Sequence, residues 1–236
     1  MLRKIYIILV HTIRVLAKKV GLLSLLESRR DRQSLLYVRS LFSIYDVDDM
    51  VQLDLPWWTF AAAAYVENFL RSKNGEANVF EYGPGASTVW LAKRARQVAF
   101  VEHDGDFAAV LRRLTEGVYN VSGVLIPPEI NPRQALVAPS GRVGYENCDF
   151  ENYVAAIRDA GGPFDMIVID GRARNACLKE AVKHVKPNGI ILFDNSRRER
   201  YRLAIEQVGF SPLRFPGLAP ALPYLEETTI LTRGGT

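Results

Sequence analysis

Four acidic residues close apolar runs in this sequence. They are Glu81 in "NVFEYG", Glu102 in "QVAFVEHD", Asp170 in "FDMIVIDG" and Asp194, followed by Asn195, in "IILFDN". A carboxylate at the end of such a run can accept hydrogen bonds, balance a cation or take a proton. After Glu81 there is little side chain: Gly83, Pro84 and Gly85 lead to Ser87 and Thr88. Glycines let a ligand lie against the main chain, and a helix starting there offers its N-terminal dipole and a Ser87 or Thr88 cap. Glu81 beside this loop speaks against a bare polyphosphate and suits a ligand with an ammonium or other polarised donors. Glu102, ending the next run, is placed to accept from two ribose hydroxyls. The alternative for both acids is that they cap nearby backbone.

Arg172, Arg174, Arg197, Arg198 and Arg200 follow the two later acidic ends. They form either a solvated basic face or guanidinium forks for a ligand's phosphate or carboxylate. His11, His103 and His184 are far apart in sequence, which argues against a histidine metal site and a Ser-His-Asp triad. Cys148 and Cys177 show no CxxC or zinc-type spacing, and a packing role is expected for Cys177.

These residues need elements to position them. From about residue 57 helix and strand patterns alternate. "WTFAAAAYVENFL" reads as a helix, and Trp57 and Trp58 before it as core or as a wall of the site. "TVWLAKRA" is the helix after the first strand, and Phe107, Val110, Leu111 and Leu114 form the apolar face of the next. "VSGVLIPPE" is a weaker third strand, residues 127 to 147 a long loop, and "FENYVAAIRDA" a helix. The helix after "FDMIVIDG" is expected to stop at "KPNG". Ser196 precedes Glu199 by three, the spacing of a capping box, and opens a helix ending near Gly209. Two strands follow in "SPLRFPG" and "EETTILTR". Continuous apolar strands between helices predict an α/β fold with a doubly wound, mostly parallel sheet covered on both faces. In such sheets ligands bind beyond the carboxyl ends of the strands, which gathers Glu81, Glu102, Asp170, Asp194 and Asn195 at one edge.

The chain has 236 residues, 48% hydrophobic and 24% charged, with a net charge of +4. That suits one large globular domain and gives no reason to expect nucleic acid. Residues 1–30 differ: Lys4, His11, Arg14 and Lys18 fall on one helical face, and Ile5, Leu9, Ile13, Leu16 and Val20 on another. This is a basic amphipathic helix, too short in its apolar run to span a membrane and without a signal cleavage site. Its apolar face, within residues 1–26, is expected either on an anionic membrane surface or on the protein itself or a second subunit.

"VFEYGPGASTVWLA", "VAFVEHD", "FDMIVIDGRARNACLKEAVKHVKPNGIILFDNSRRERY" and the two-strand tail together resemble class I S-adenosylmethionine-dependent methyltransferases, and within them a bacterial group associated with glycan biosynthesis. The resemblance covers roughly residues 55–232. It implies a seven-stranded, Rossmann-like sheet whose last strand is antiparallel, an N-terminal helical extension over 1–54 and a cofactor-binding catalytic domain over 55–236. It assigns Glu81, Gly83 and Gly85 to the methionine end of the cofactor, Glu102 to its ribose, and Asp149 and Phe150 to adenine. Ser87 stands where the motif commonly has a third glycine.

A sulfonium methyl needs chiefly alignment of nucleophile, carbon and sulfur. A hydroxyl acceptor must also lose a proton. Asp170, Asp194 and Asn195 then face the methyl position. Asp170 or Asp194 could serve as base, or all three could hold a divalent cation, as in the similar Asp…Asp-Asn arrangement of catechol-type O-methyltransferases, or the two aspartates could cap the helices after them. Arg172, Arg174 and Arg197 would bind an acidic acceptor. The expected function is O-methylation of a saccharide-related or small acidic acceptor, bearing phosphate or carboxylate or carried on a lipid. The expected place is the cytoplasm or the inner membrane face. A nicotinamide-dependent oxidoreductase and a membrane-associated scaffold with a degenerate cofactor pocket are the rivals.

Overall fold

Apolar runs interrupted by helix starts leave little choice but a sheet buried on both faces. The computed structural model describes residues 2–131 and 135–234, with side chains from Ile7 onward. Lys4 and Ile5, assigned above to opposite faces of the first helix, have side chains outside the described residues. Helices α1 (Leu2–Lys19), α2 (Leu22–Glu27), α3 (Gln33–Ser40), α4 (Val47–Leu53) and α5 (Phe60–Ser72) precede the sheet. The chain continues through β1 (Asn78–Tyr82), α6 (Ala86–Ala92), β2 (Gln97–Glu102), α7 (Gly105–Leu114), β3 (Val121–Leu125), β4 (Glu129–Ile130), β5 (Cys148–Asp149) and α8 (Glu151–Ala155). It ends with β6 (Phe164–Ile169), α9 (Arg174–His184), β7 (Val185–Phe193), α10 (Glu199–Gln207), β8 (Ser211–Leu218) and β9 (Leu225–Thr232).

The main sheet has seven strands in the order β3-β2-β1-β6-β7-β9-β8. Strands from β3 to β7 are parallel, and β9 runs antiparallel to both β7 and β8. The strand order reverses between β1 and β6, which opens a crevice beyond their carboxyl ends. Successive residues alternate between two cores, as strand geometry requires. Phe80, Ile167, Ile169 and Ile191 enter one, with Phe150, Tyr153 and Leu178. Val79, Met166, Val168 and Leu192 enter the other, with Trp58, Leu70 and Trp90.

The N-terminal helices are tied together by a buried charge network. Arg39 donates to both carboxylate oxygens of Asp49, at 2.8 and 2.9 Å, and to Glu27 at 2.7 Å. Ser43 donates to Asp49 at 2.6 Å. Met50, Leu53 and Leu55 pack with Ala86 and Ala221, so α4 sits against the start of α6.

Two local expectations need correction. Ser196 does not cap α10, which starts after Arg198; its hydroxyl is instead drawn to β9, donating to Glu227 and accepting from Thr229 at 2.7 Å. Helix α9 does stop before "KPNG", at His184, and the chain turns extended at Val185 and carries those residues within β7. The segment 127–147 is no plain loop, since β4 pairs antiparallel with β5 and Pro139 bridges to Asp149.

Candidate functional site

Two cavities meet at the crevice. The first, about 350 Å3, lies beyond β1, β2 and β6 and is bounded by Gly83, Gly85, Ser87, Glu102, His103, Tyr145 and Asp170. The second, about 330 Å3, lies beyond β6 and β7; Ile44, Tyr45 and Leu222 form apolar walls and Asp194 and Asn195 a polar end. Trp57, Asp170 and Arg172 line both. A larger groove of about 430 Å3 runs along β3, but it holds none of the strand-end acids.

The loop after β1 is shaped by backbone contact. Gly83 has φ +81°, and a Cβ on it would lie 2.3 Å from the Gly171 Cα. A Cβ on Gly171 would lie 2.0 Å from the Tyr153 hydroxyl. No other residue fits either place without moving the loop after β6.

Glu81 is fully buried and accepts from the Ser87 hydroxyl at 2.5 Å and the Thr88 hydroxyl at 2.6 Å. Burial pushes its carboxyl up to about 8, against the pull of those two hydroxyls. Thr88 also accepts from the Gly85 N–H at 2.9 Å, closing the start of α6. Glu102 is held differently. Its Oε1 accepts from the backbone N–H of His103 and of Asp104, each at 2.7 Å. His103 Nδ1 lies 2.6 Å from the same oxygen without the alignment of a hydrogen bond. Glu102 Oε2 accepts no hydrogen bond among the described residues, and Glu102 lines the first cavity.

At the second cavity Arg174 braces the strand ends. Its guanidinium is buried and donates to the Asp170 carboxylate at 2.7 Å, to the Asp170 and Gly171 carbonyls, and to the Asp194 carbonyl. Asp194 Oδ1 accepts from Thr228 at 2.7 Å. Burial, and then the neighbouring Asp170, push the Asp194 carboxyl up to about 7. Burial also raises Asp170, with Arg174 pulling the other way. Both carboxyls therefore bind a proton more readily than an exposed aspartate does.

Residues 80–196, about half of the chain, match the family model of a methyltransferase domain. This segment is a methyltransferase domain. A search of curated protein sequences found no match. Among solved structures, the precorrin 8w decarboxylase of Methanobacterium thermoautotrophicum is similar at 14% identity, over 75% of this chain and 91% of that one, with a TM-score of 0.50. An rRNA methylase from Streptococcus thermophilus is 13% identical over 71% and 93%, with a TM-score of 0.49. A methyltransferase-like protein from Silicibacter pomeroyi is 21% identical over 71% and 85%, with a TM-score of 0.46. At these identities the likeness is one of fold, and the fold is the seven-stranded, mostly parallel one of class I methyltransferases.

Within the methyltransferase domain the predicted residues divide. Gly83, Gly85, Ser87, Glu102, Asp170, Arg172, Asp194 and Asn195 come together at the two cavities. Glu81 and Thr88 do not reach the first cavity; Glu81 acts one layer back, fixing the Ser87 hydroxyl. Ser87 is not the cap of α6, whose N-cap is Gly85, and its hydroxyl donates to Glu81. Asp149 is turned away, accepting from the N–H groups of Val137, Ala138 and Glu151. Phe150 is fully buried core against Tyr153. Arg174 is a brace rather than an acceptor ligand. Arg197 is exposed and lines neither cavity, and Arg200 donates to the Gly141 carbonyl at 3.0 Å. Cys177 packs in the core as expected, and of the two tryptophans Trp58 is core and Trp57 a wall.

A divalent cation does not fit the second cavity. Arg174 already supplies a positive charge at Asp170, donating to its carboxylate at 2.7 Å, and Asp194 Oδ1 is engaged by the Thr228 hydroxyl at 2.7 Å. Among the described residues no group of three or more His, Cys, Asp and Glu side chains is arranged to hold a metal. Local sequence patterns pointed to His103 and Asp104 only through their place after Glu102 and to Phe107 only as part of a helix's apolar face, and Tyr145 and Arg142 gave no signal at all.

Proposed function

We propose that the protein is an S-adenosylmethionine-dependent methyltransferase acting on an oxygen of a small acceptor with an anionic group, saccharide-related in the first instance. The observation that carries this reading is the shared wall: one cavity lined by the Glu102 carboxylate abuts a second that ends in the Asp194 carboxyl, which burial raises to about 7.

In this reading the first cavity takes the cofactor, which when bound supplies a sulfonium methyl. Glu102 Oε2 accepts from the ribose hydroxyls, as the anchored Oε1 leaves it free to do. The Gly83–Gly85 backbone and the Ser87 hydroxyl face the methionine part, with the Asp170 carboxylate, paired with Arg174, at the shared wall. Asp194 takes the acceptor's hydroxyl proton as the oxygen gains its methyl, and Arg174 holds both strand ends still meanwhile. Arg172 is the acceptor's counter-charge. Burial, then Arg142 and Arg174, lower its affinity for its own proton, so an anion beside it relieves repulsion among the three guanidinium groups. Trp57, which lines both cavities, is the aromatic wall against which a sugar ring could pack.

The reversed strand β9 and the domain match speak against a nicotinamide-dependent oxidoreductase, whose sheet is parallel throughout. Calorimetric titration with S-adenosylhomocysteine and with NADH decides between them. Binding of the first alone is expected; binding of neither would favour a scaffold with a degenerate pocket. Transfer of a tritiated methyl into a fractionated cell extract then finds the acceptor without a prior guess.

A further inference from the structure

The first helix is docked the unexpected way round. Its polar stripe faces the protein: Arg14 reaches Asp46 at 2.5 Å and Asp49 at 3.0 Å, the His11 ring lies 3.2 Å from the Ile44 carbonyl, and Ala17 is buried. Its apolar stripe faces out. Ile8 is 66% exposed, Leu9 54%, Leu16 57% and Val20 78%, and the surface continues into α2 with Leu25 at 60%. A helix that met only water on this face would not be expected to keep it apolar. No described helix is long and apolar enough to cross a membrane.

Charge says what covers this face. The first 32 residues contain eight of the chain's 30 Lys and Arg and two of its 26 Asp and Glu, so the whole positive excess lies here and the remainder is slightly acidic. Arg14 is committed to Asp46 and Asp49, which removes it from the cations expected to meet headgroups. Lys18, Lys19, Arg29, Arg30 and Arg32 are exposed and make no ion pair among the described residues. A second copy on this face would bring the same cations together, which is unfavourable. An anionic partner with an apolar interior satisfies both features.

We propose that the outer face of α1 and the start of α2 lie in an anionic lipid surface, with Leu9, Leu16 and Val20 among the acyl chains and Lys18, Lys19, Arg29 and Arg30 at the headgroups. The docked helix is also part of the acceptor cavity's frame. Ile44, to which His11 is joined, and Tyr45 are walls of that cavity, and Asp46 and Asp49, held by Arg14, follow within five residues. Lipid contact is thus two side chains removed from the acceptor.

The test is flotation of the full-length protein with vesicles of phosphatidylcholine alone or mixed with phosphatidylglycerol, at low and high salt. The protein is expected to float with the anionic vesicles, and at least about tenfold less with neutral ones or at high salt. Leu9→Glu/Leu16→Glu should lose flotation with helical circular dichroism retained. Lys18→Gln/Lys19→Gln/Arg29→Gln/Arg30→Gln should lose the preference for anionic lipid. Wild-type protein that stays with the unbound fraction overturns the proposal whatever the variants do, and so does equal flotation of wild type and both variants. Light scattering that shows a dimer broken by Leu9→Glu/Leu16→Glu, with no flotation, assigns the face to a second copy instead.

Discussion

The Thr228 hydroxyl donates to the Asp194 carboxylate at 2.7 Å, from β9, the strand that runs against the one Asp194 ends. One oxygen of Asp194 is thereby fixed in place. Asp194→Asn keeps the Thr228 bond and removes the base. Turnover should fall about 100-fold or more, while S-adenosylhomocysteine affinity by calorimetry stays within about twofold. Full activity in Asp194→Asn would remove it from proton transfer.

The same carboxylate sets a pH profile. A base raised to about 7 is ionised only above that pH. In wild-type protein kcat/KM should climb as pH rises toward about 7 and level off beyond it. A profile flat through this range would mean that the proton leaves by another route.

Glu102→Gln keeps an acceptor for the His103 and Asp104 N–H groups but loses the charge presented to the cofactor. Binding of S-adenosylhomocysteine should weaken by about 1–3 kcal/mol, with melting temperature little changed. An unchanged dissociation constant would take Glu102 out of the ribose role.

Glu81 ties stability to pH in the opposite sense to a salt-bridged acid. Its carboxyl is raised from 4.5 to about 8, so between those values folding takes up a proton. The stability this group contributes is complete below 4.5 and is lost as pH rises through about 8. Glu81→Gln should flatten the fall in melting temperature between about pH 5 and pH 9 relative to wild type. Parallel curves for the two proteins would show that Glu81 is ionised in the fold.

Arg39→Met leaves Asp49, which is 2% exposed, with Arg14 and Ser43 alone. Urea unfolding should show a loss of about 3–5 kcal/mol. A loss under about 1 kcal/mol would mean that Arg14 suffices.

The sheet and the gathering of acids were legible because both follow from local pattern: apolar runs, interrupted by helix starts, ending in carboxylates. What escaped was decided by contacts distant in sequence. Asp149 is captured by N–H groups that the segment 127–147 folds back to it. Glu81 is claimed by two hydroxyls in the first turn of α6, across the glycine loop, which a reading of strand ends treats as separate ligand groups. The direction in which α1 faces depends on Asp46 and Asp49, some thirty residues beyond Arg14, and periodicity shows two stripes without saying which is inside. Arg174 stands in an arginine-rich stretch that reads as surface, and only the approach of β6 to β7 reveals it as a brace.

The contact between Gly83 and Gly171 has a consequence for how this protein can change over generations. A methyl at Gly83 would collide with the Gly171 main chain, and one at Gly171 with the Tyr153 hydroxyl. A substitution at Gly83 is tolerated only after the end of β6 has withdrawn, and one at Gly171 only after Tyr153 has left its place in the core. A lineage that altered either glycine would be expected to have rebuilt the crevice between β1 and β6.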